Sequence, residues 1–147
     1  MNPFAEFRAQ CQASLKGALS GLFPKVFVPS VTLDVPPNSE FGELASSLCF
    51  ELAKQTRRKP FDIAKRVANR INKSESPLIQ STKAAGEGYI NFYANLANFS
   101  SLTIESIRAL DTKYGYVKAE KPIKMIVEHT SANPLRPLNI ATARNTV

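Results

Sequence analysis

The stretch "GEGYINFY", Gly86 to Tyr93, constrains the fold more than any other part of this chain. Apart from Asn91, residues Tyr89 to Tyr93 all favour strand, and strand side chains point alternately to opposite faces. Ile90 and Phe92 therefore share an apolar face that belongs to a core, while Tyr89, Asn91 and Tyr93 share the other. Leu78 to Ala84 reads as a neighbouring strand, and the Gly86-Glu87-Gly88 turn between the two predicts an antiparallel hairpin.

Helices are legible on either side. Asn2-Pro3 is an N-cap followed by a first-turn proline, and Phe4, Phe7, Cys11, Leu15, Ala18, Leu19 and Leu22 then recur at helical spacing. Val31, Leu33 and Val35 alternate as in a half-buried strand, which Pro36-Pro37 ends. A second helix is expected from Asn38 or Ser39, with Phe41, Leu44, Leu48 and Leu52 inward. Pro60 starts a third, with Phe61, Ala64, Val67 and Ile71 inward, and a cap at Asn98 or Ser100 starts a fourth, carrying Leu102, Ile107 and Leu110. Asp111 to Pro122 has the composition of a linker. The apolar run "IKMIVE" after it resembles a strand that a parallel sheet buries on both faces. The fold class is α+β: a small antiparallel sheet packed with about four helices over residues 1–110, a linker over 111–122, and an incomplete βα unit over 123–147.

Bulk properties narrow the function. At 147 residues and 44% hydrophobic content, the chain suffices for one well-packed domain and falls short of a large two-domain enzyme. It has no apolar run of membrane-spanning length, and "MNPFAEFRAQ" has neither the basic leader nor the apolar region of a secretory signal. Cys11 and Cys49 fall in apolar helical patterns without metal-ligand spacing, so they are expected as buried free thiols of a cytoplasmic protein. His129 is the lone histidine, and no metal site is expected. The net charge of +7, from 19 basic and 12 acidic side chains, favours a polyanionic partner. Lys54, Arg57, Arg58, Lys59, Lys65, Arg66, Arg70 and Lys73 lie in one stretch with a single acid, Asp62. Such a stretch is either a solvated helix surface or a ridge for phosphates.

Two places offer chemistry. On the Tyr89, Asn91 and Tyr93 face, two rings flank an amide; rings stack on unpaired bases and an amide can bond a Watson–Crick edge. The bland alternative is an ordinary exposed strand face. At the other place, Glu128 ends the apolar run and Asn133 follows five residues later. Ligands of parallel sheets bind beyond strand carboxyl ends, so Glu128 is either a partner for a cationic substrate or a structural cap.

The segment "VEHTSANPLRPLNIATARN" resembles the first signature of class I aminoacyl-tRNA synthetases, specifically of arginyl-tRNA synthetases, in which V-E-x-x-S-x-N-P leads to P-L, the HIGH tetrapeptide and A-R-N. "FGELASSLCFELAKQTRRKPFDIAKRVANRI" and "GEGYINFYAN" are similar to the N-terminal additional domain of the same enzymes. The resemblance implies a tRNA D-loop-binding domain followed by the start of a Rossmann-like catalytic domain. It places Glu128, Ser131 and Asn133 at the substrate arginine. Tyr89 and Asn91, with Phe92 and Tyr93 in the same strand, are implied at a D-loop base of the arginine-accepting tRNA. Arg57, Arg58, Lys59, Lys65, Arg66 and Arg70 would meet its phosphates.

The intact enzyme would use ATP with magnesium to join arginine to tRNA; no cofactor is expected in this chain by itself, and neither DNA nor a membrane as partner. One departure stands out: the HIGH positions read Asn139-Ile140-Ala141-Thr142. Asn139 cannot carry a proton, and the Ala141 methyl would crowd the adenine. Losing one such transition-state donor costs on the order of 100-fold in rate. With the rest of the catalytic domain lacking, the chain alone is expected to be inactive. The alternative expectation is a catalytically silent truncated paralogue that serves as a protein–protein docking or regulatory module.

Overall fold

The computed structural model describes residues 2–24, 26, 30–116, 124, 126, 137 and 140. The strand expected from Ile123 to Glu128 and the βα unit around it fall outside the described residues except at those last four positions. So do Glu128, Ser131, Asn133, Asn139, Ala141 and Thr142. The chain divides into two units, Met1–Tyr114 and Gly115–Val147. The first carries a three-stranded antiparallel sheet and four α-helices among its described residues, an α+β architecture.

Helix α1 (Pro3–Leu22) begins with its expected cap: Asn2 Oδ1 accepts from the amides of Phe4 and Ala5 at 3.0 and 3.2 Å. Phe7, Cys11, Leu15, Ala18 and Leu19 are buried at the spacing of one helical face, whereas Phe4 at its start is exposed. Residues 30–35 run extended and are tied to α1. The Arg8 guanidinium donates to the Leu33 carbonyl at 2.6 Å, and Gln12 Nε2 to that of Val31 at 3.1 Å. A full strand was expected over Val31 to Val35, but a single antiparallel bridge forms, between Asp34 and Ala45, and Val35 is exposed. Pro36 and Pro37 have no amide hydrogen with which to extend that ladder.

The second helix does not form from Asn38 or Ser39. Ser39–Phe41 is one 3-10 turn, Gly42 reverses the chain, β1 (Leu44–Ser46) follows, and α2 (Leu48–Thr56) starts only afterwards. Gly42 is the cause. Its φ is +83°, and a Cβ there would run into the carbonyl oxygen of Phe92. The adjacent Glu43 amide donates to that same oxygen at 3.0 Å. Leu44 is buried, as a strand residue, and Phe41 lies exposed rather than on a helix's inner face.

Helix α3 (Pro60–Arg70) starts at its proline as expected, with Ile63, Ala64, Val67 and Ala68 buried. Phe61, expected inward, sits at the edge of the stripe centred on Val67 and is exposed. The hairpin forms from β2 (Ile79–Ala85) and β3 (Tyr89–Ala94), with β3 central in the order β1-β3-β2. Leu44 and Thr82 both lie opposite Phe92, while Ala45 and Lys83 both lie opposite Asn91. Paired residues share a face, so Leu44, Ile90, Phe92 and Thr82 face α3, to whose Ala68 carbonyl the Thr82 hydroxyl donates at 3.0 Å. Helix α4 (Leu96–Leu110) starts earlier than Asn98 or Ser100. Asn95 Oδ1 caps it by accepting from the Asn98 amide at 3.2 Å. The Phe99 ring meets Phe7 edge-on at 6.3 Å, Leu102 is half-buried, and Ile107 is exposed.

Candidate nucleic-acid interface

Period two puts the second face of β3 opposite the core, and the structure gives that face a roof. The bridge at Asp34 fixes the start of the 34–37 segment beside β1, and the Tyr93 hydroxyl donates to the Glu40 carbonyl at 3.1 Å, holding the Ser39–Phe41 turn over the sheet. Between roof and sheet lies a cavity of about 530 Å³, within the roughly 300–1,000 Å³ range of small-ligand sites. Ala45 and Ala85 floor it with methyl groups, Val35, Pro36, Pro37 and Phe41 wall it, and Asp34, Ser47, Tyr89 and Asn91 supply its functional groups.

Asn91 is the unusual member. It is only 3% exposed, yet among the described residues its side-chain amide has no hydrogen-bond partner. Its amide atoms nonetheless keep contact with open space, since no buried side-chain nitrogen or oxygen is left without a partner. The amide thus opens onto the cavity. An amide that meets open space without a protein partner keeps its donor and acceptor available to a ligand.

Tyr89 stays 46% exposed and is steadied edge-on by Phe50 of α2, at 5.2 Å and 71° between planes. Tyr93 is half-buried, with the Lys83 ammonium 4.9 Å from its ring centroid. Phe92, which the resemblance put in the same reading strand, is fully buried on the core face; its ring is closed to any ligand. Sequence reasoning missed Phe41, Asp34 and the Val35-Pro36-Pro37 wall. The paired prolines were a signal, because a strand that they end must leave its last side chains unpaired.

The basic stretch divides in two. Arg57, in the left-handed conformation at φ +55°, Arg58 and Lys59 form the exposed α2–α3 connection. That connection adjoins Tyr89: a Cβ on Gly88 would come within 2.5 Å of Pro60 Cβ, so the hairpin turn rests on the start of α3. Arg66 instead lies 5.7 Å from the Phe23 ring centroid, and Arg70 approaches Gly21, both at the C-terminal end of α1. Lys65 is exposed on α3. No ion pair among the described residues ties these side chains down.

Other features are spoken for. A polar cavity of about 670 Å³ between α1 and the end of α3 has its groups paired with one another: the Ser14 and Ser76 hydroxyls at 2.6 Å, and Asn72 with Glu75 at 2.9 Å. Burial pushes the Cys11 and Cys49 thiols up to about 12, with Arg8 partly offsetting the rise at Cys11, so neither is a nucleophile. Among the described residues no cluster of three metal-ligating side chains occurs, and no helix is long and apolar enough to cross a membrane.

Residues 9–94 match the family described as the arginyl tRNA synthetase N terminal domain. The chain is 34% identical over 147 residues to an arginine–tRNA ligase of Thermococcus sibiricus, covering 98% of this chain and 23% of the relative. It is 38% identical over 144 residues to that of Methanothermobacter thermautotrophicus, covering 98% and 24%. The chain thus spans about a quarter of the length of these curated relatives. Among solved structures, Thermus thermophilus arginyl-tRNA synthetase superposes with a TM-score of 0.55 at 24% identity, over 94% of this chain and 21% of that one. The Plasmodium falciparum arginyl-tRNA synthetase gives 0.53 at 13% identity, over 61% and 16%. At these identities the two structures speak for the fold.

Proposed function

Because the chain belongs to the arginyl-tRNA synthetase N-terminal domain family, we propose that it grips the elbow of an arginine-accepting tRNA in the cytoplasm, taking an unpaired D-loop base against Tyr89 and Asn91. The observation that carries this reading is the side-chain amide of Asn91, which has no protein partner among the described residues and opens onto a cavity with an exposed ring beside it. A base entering there would stack on Tyr89 and complete the amide's hydrogen bonds, two contacts that an empty fold leaves unmade. Arg57, Arg58 and Lys59 lead into Pro60, on which Gly88 beside Tyr89 rests, so the flanking phosphates of such a base would run toward them. Lys65, Arg66 and Arg70 extend the positive surface toward α1. Within a full-length ligase, Glu128, Ser131 and Asn133 would hold arginine, and Asn139, Ala141 and Thr142 would stand at the ATP-binding tetrapeptide, with magnesium accompanying the nucleotide.

The test is tRNA affinity at fixed salt. Asn91→Ala is expected to weaken binding to the arginine-accepting tRNA roughly tenfold, since a truncated base contact costs about 1–3 kcal/mol. Charge removal at Arg57 or Arg58 should instead weaken all RNAs alike and lower the salt slope by about one per phosphate contact. Unchanged affinity in Asn91→Ala would remove the base-reading assignment. The second reading, a protein–protein docking or regulatory module, draws on α4, where Leu96, Ile104 and Ile107 are exposed. A partner that survives ribonuclease in a pull-down with the intact chain would favour it.

A further inference from the structure

The cavity has one charged group, and its position in the sheet is fixed. Asp34 and Ala45 exchange backbone hydrogen bonds at 2.9 and 2.8 Å, an antiparallel pair whose side chains must emerge on the same face. Ala45 pairs in turn with Asn91, and Asn91 with Lys83. Asp34, Ala45, Asn91 and Lys83 therefore form one row across the outer face: carboxylate, methyl, amide, ammonium. Two inter-strand steps separate Asp34 from Asn91, about 10 Å at the backbone, with only a methyl group between them.

Asp34 is exposed at the cavity mouth, and among the described residues its carboxylate accepts no hydrogen bond. A lone acid at the rim of an RNA site repels phosphates, so a site with no use for it would be better without it.

Resting on the base-reading assignment above, we propose that Asp34 is a specificity-determining residue, selecting a base that carries an exocyclic amine on its Watson–Crick edge. An ionised carboxylate only accepts hydrogen bonds. Adenine, cytosine and guanine each present it with an amine. Uracil presents a single N–H between two carbonyl oxygens, both of which the carboxylate repels. The row also orients the nucleotide. The amine-bearing edge points to Asp34, Asn91 bonds the adjoining ring position, and the phosphate lies toward Lys83, whose ammonium the Tyr93 ring already holds.

The experiment uses the intact chain and hairpin RNAs with all-uridine loops. One loop position, scanned in turn, carries adenosine, purine riboside or uridine, and affinity is read by fluorescence anisotropy at fixed salt. Purine riboside keeps the stacking surface and lacks the amine. The wild-type chain should bind the adenosine hairpin roughly tenfold more tightly than the other two at one position. Asp34→Asn and Asp34→Ala should both shrink that gap below about threefold, while binding of the purine riboside hairpin stays equal or tightens as a negative charge is lost. Equal wild-type affinity for adenosine and purine riboside at every position, with Asn91→Ala still weakening binding, overturns the role of Asp34 and spares the base-reading site. A gap that survives both Asp34 variants does the same. No dependence on the loop base or on Asn91 overturns both.

Discussion

Replacing Asn91 by leucine separates a reading group from a structural one. Leucine keeps the γ-branching of asparagine while removing the amide, and the cavity above provides room for its bulkier methyl groups. At most positions 3% exposed, such a swap would strand a hydrogen-bond partner, but among the described residues Asn91 has none to strand. Because the amide meets open space, the desolvation relieved by its removal is at most about 1 kcal/mol. The expected result is an unfolding free energy equal to that of the parent chain or higher by at most about 1 kcal/mol, or about 4 °C in melting temperature for a domain of this size. Urea denaturation followed by far-ultraviolet circular dichroism measures it, with the slope against denaturant unchanged. RNA affinity should fall in the same variant. A loss of 1 kcal/mol or more would show that the amide anchors the sheet, and the argument that it waits for a ligand would collapse.

Two further expectations concern the frame around the site. Gly42→Ala combines a conformation essentially reserved to glycine, costing about 1–3 kcal/mol, with a methyl group pressed on the Phe92 carbonyl, so a loss of about 3 kcal/mol in urea denaturation is expected, and a change below about 0.5 kcal/mol would contradict it. The buried thiols set a pH dependence. With folded values raised from 9.0 to about 12, each thiol's contribution is complete below pH 9 and is lost as pH rises toward 12, at up to about 1.4 kcal/mol per unit. The destabilisation measured for Cys49→Ala should accordingly shrink between pH 9 and pH 10.5; a penalty independent of pH would be inconsistent with burial of a neutral thiol.

How far the sequence foretold this structure depends on whether local pattern or distant contact decided each element. Asn2-Pro3, Pro60 and the Gly86-Glu87-Gly88 turn act within a few residues of themselves, and all three elements formed as their composition requires. Leu44 and Leu48 fit a helical stripe with Phe41 and Leu52 equally well. The deciding fact was the approach of Gly42 to Phe92, fifty residues away, which no local window contains. The same long-range pairing hid half of the site. Tyr89 and Asn91 were visible because they alternate within one strand, whereas Asp34 and Phe41 join them only through the bridge to Ala45 and the Tyr93 bond to Glu40. Phe92 shows the converse: strand alternation put it in the core, and that local rule outweighed a likeness drawn from neighbouring letters.

One strand thus does two jobs without conflict, because its period is two. Ile90 and Phe92 contribute apolar burial against α3, each with a whole side chain removed from water, and substitution there is expected to cost stability first. Tyr89 and Asn91 lie on the opposite face: one is nearly half exposed, and the amide of the other opens onto the cavity. A fold that keeps an amide without a protein partner on its central strand, floors the space above it with alanines on both neighbouring strands, and roofs it through a glycine-only turn has three independent features converging on one volume. Any one of them has an ordinary packing explanation. Together they favour a space kept open for a ligand, and small side chains at Ala45 and Ala85 are what keep it open.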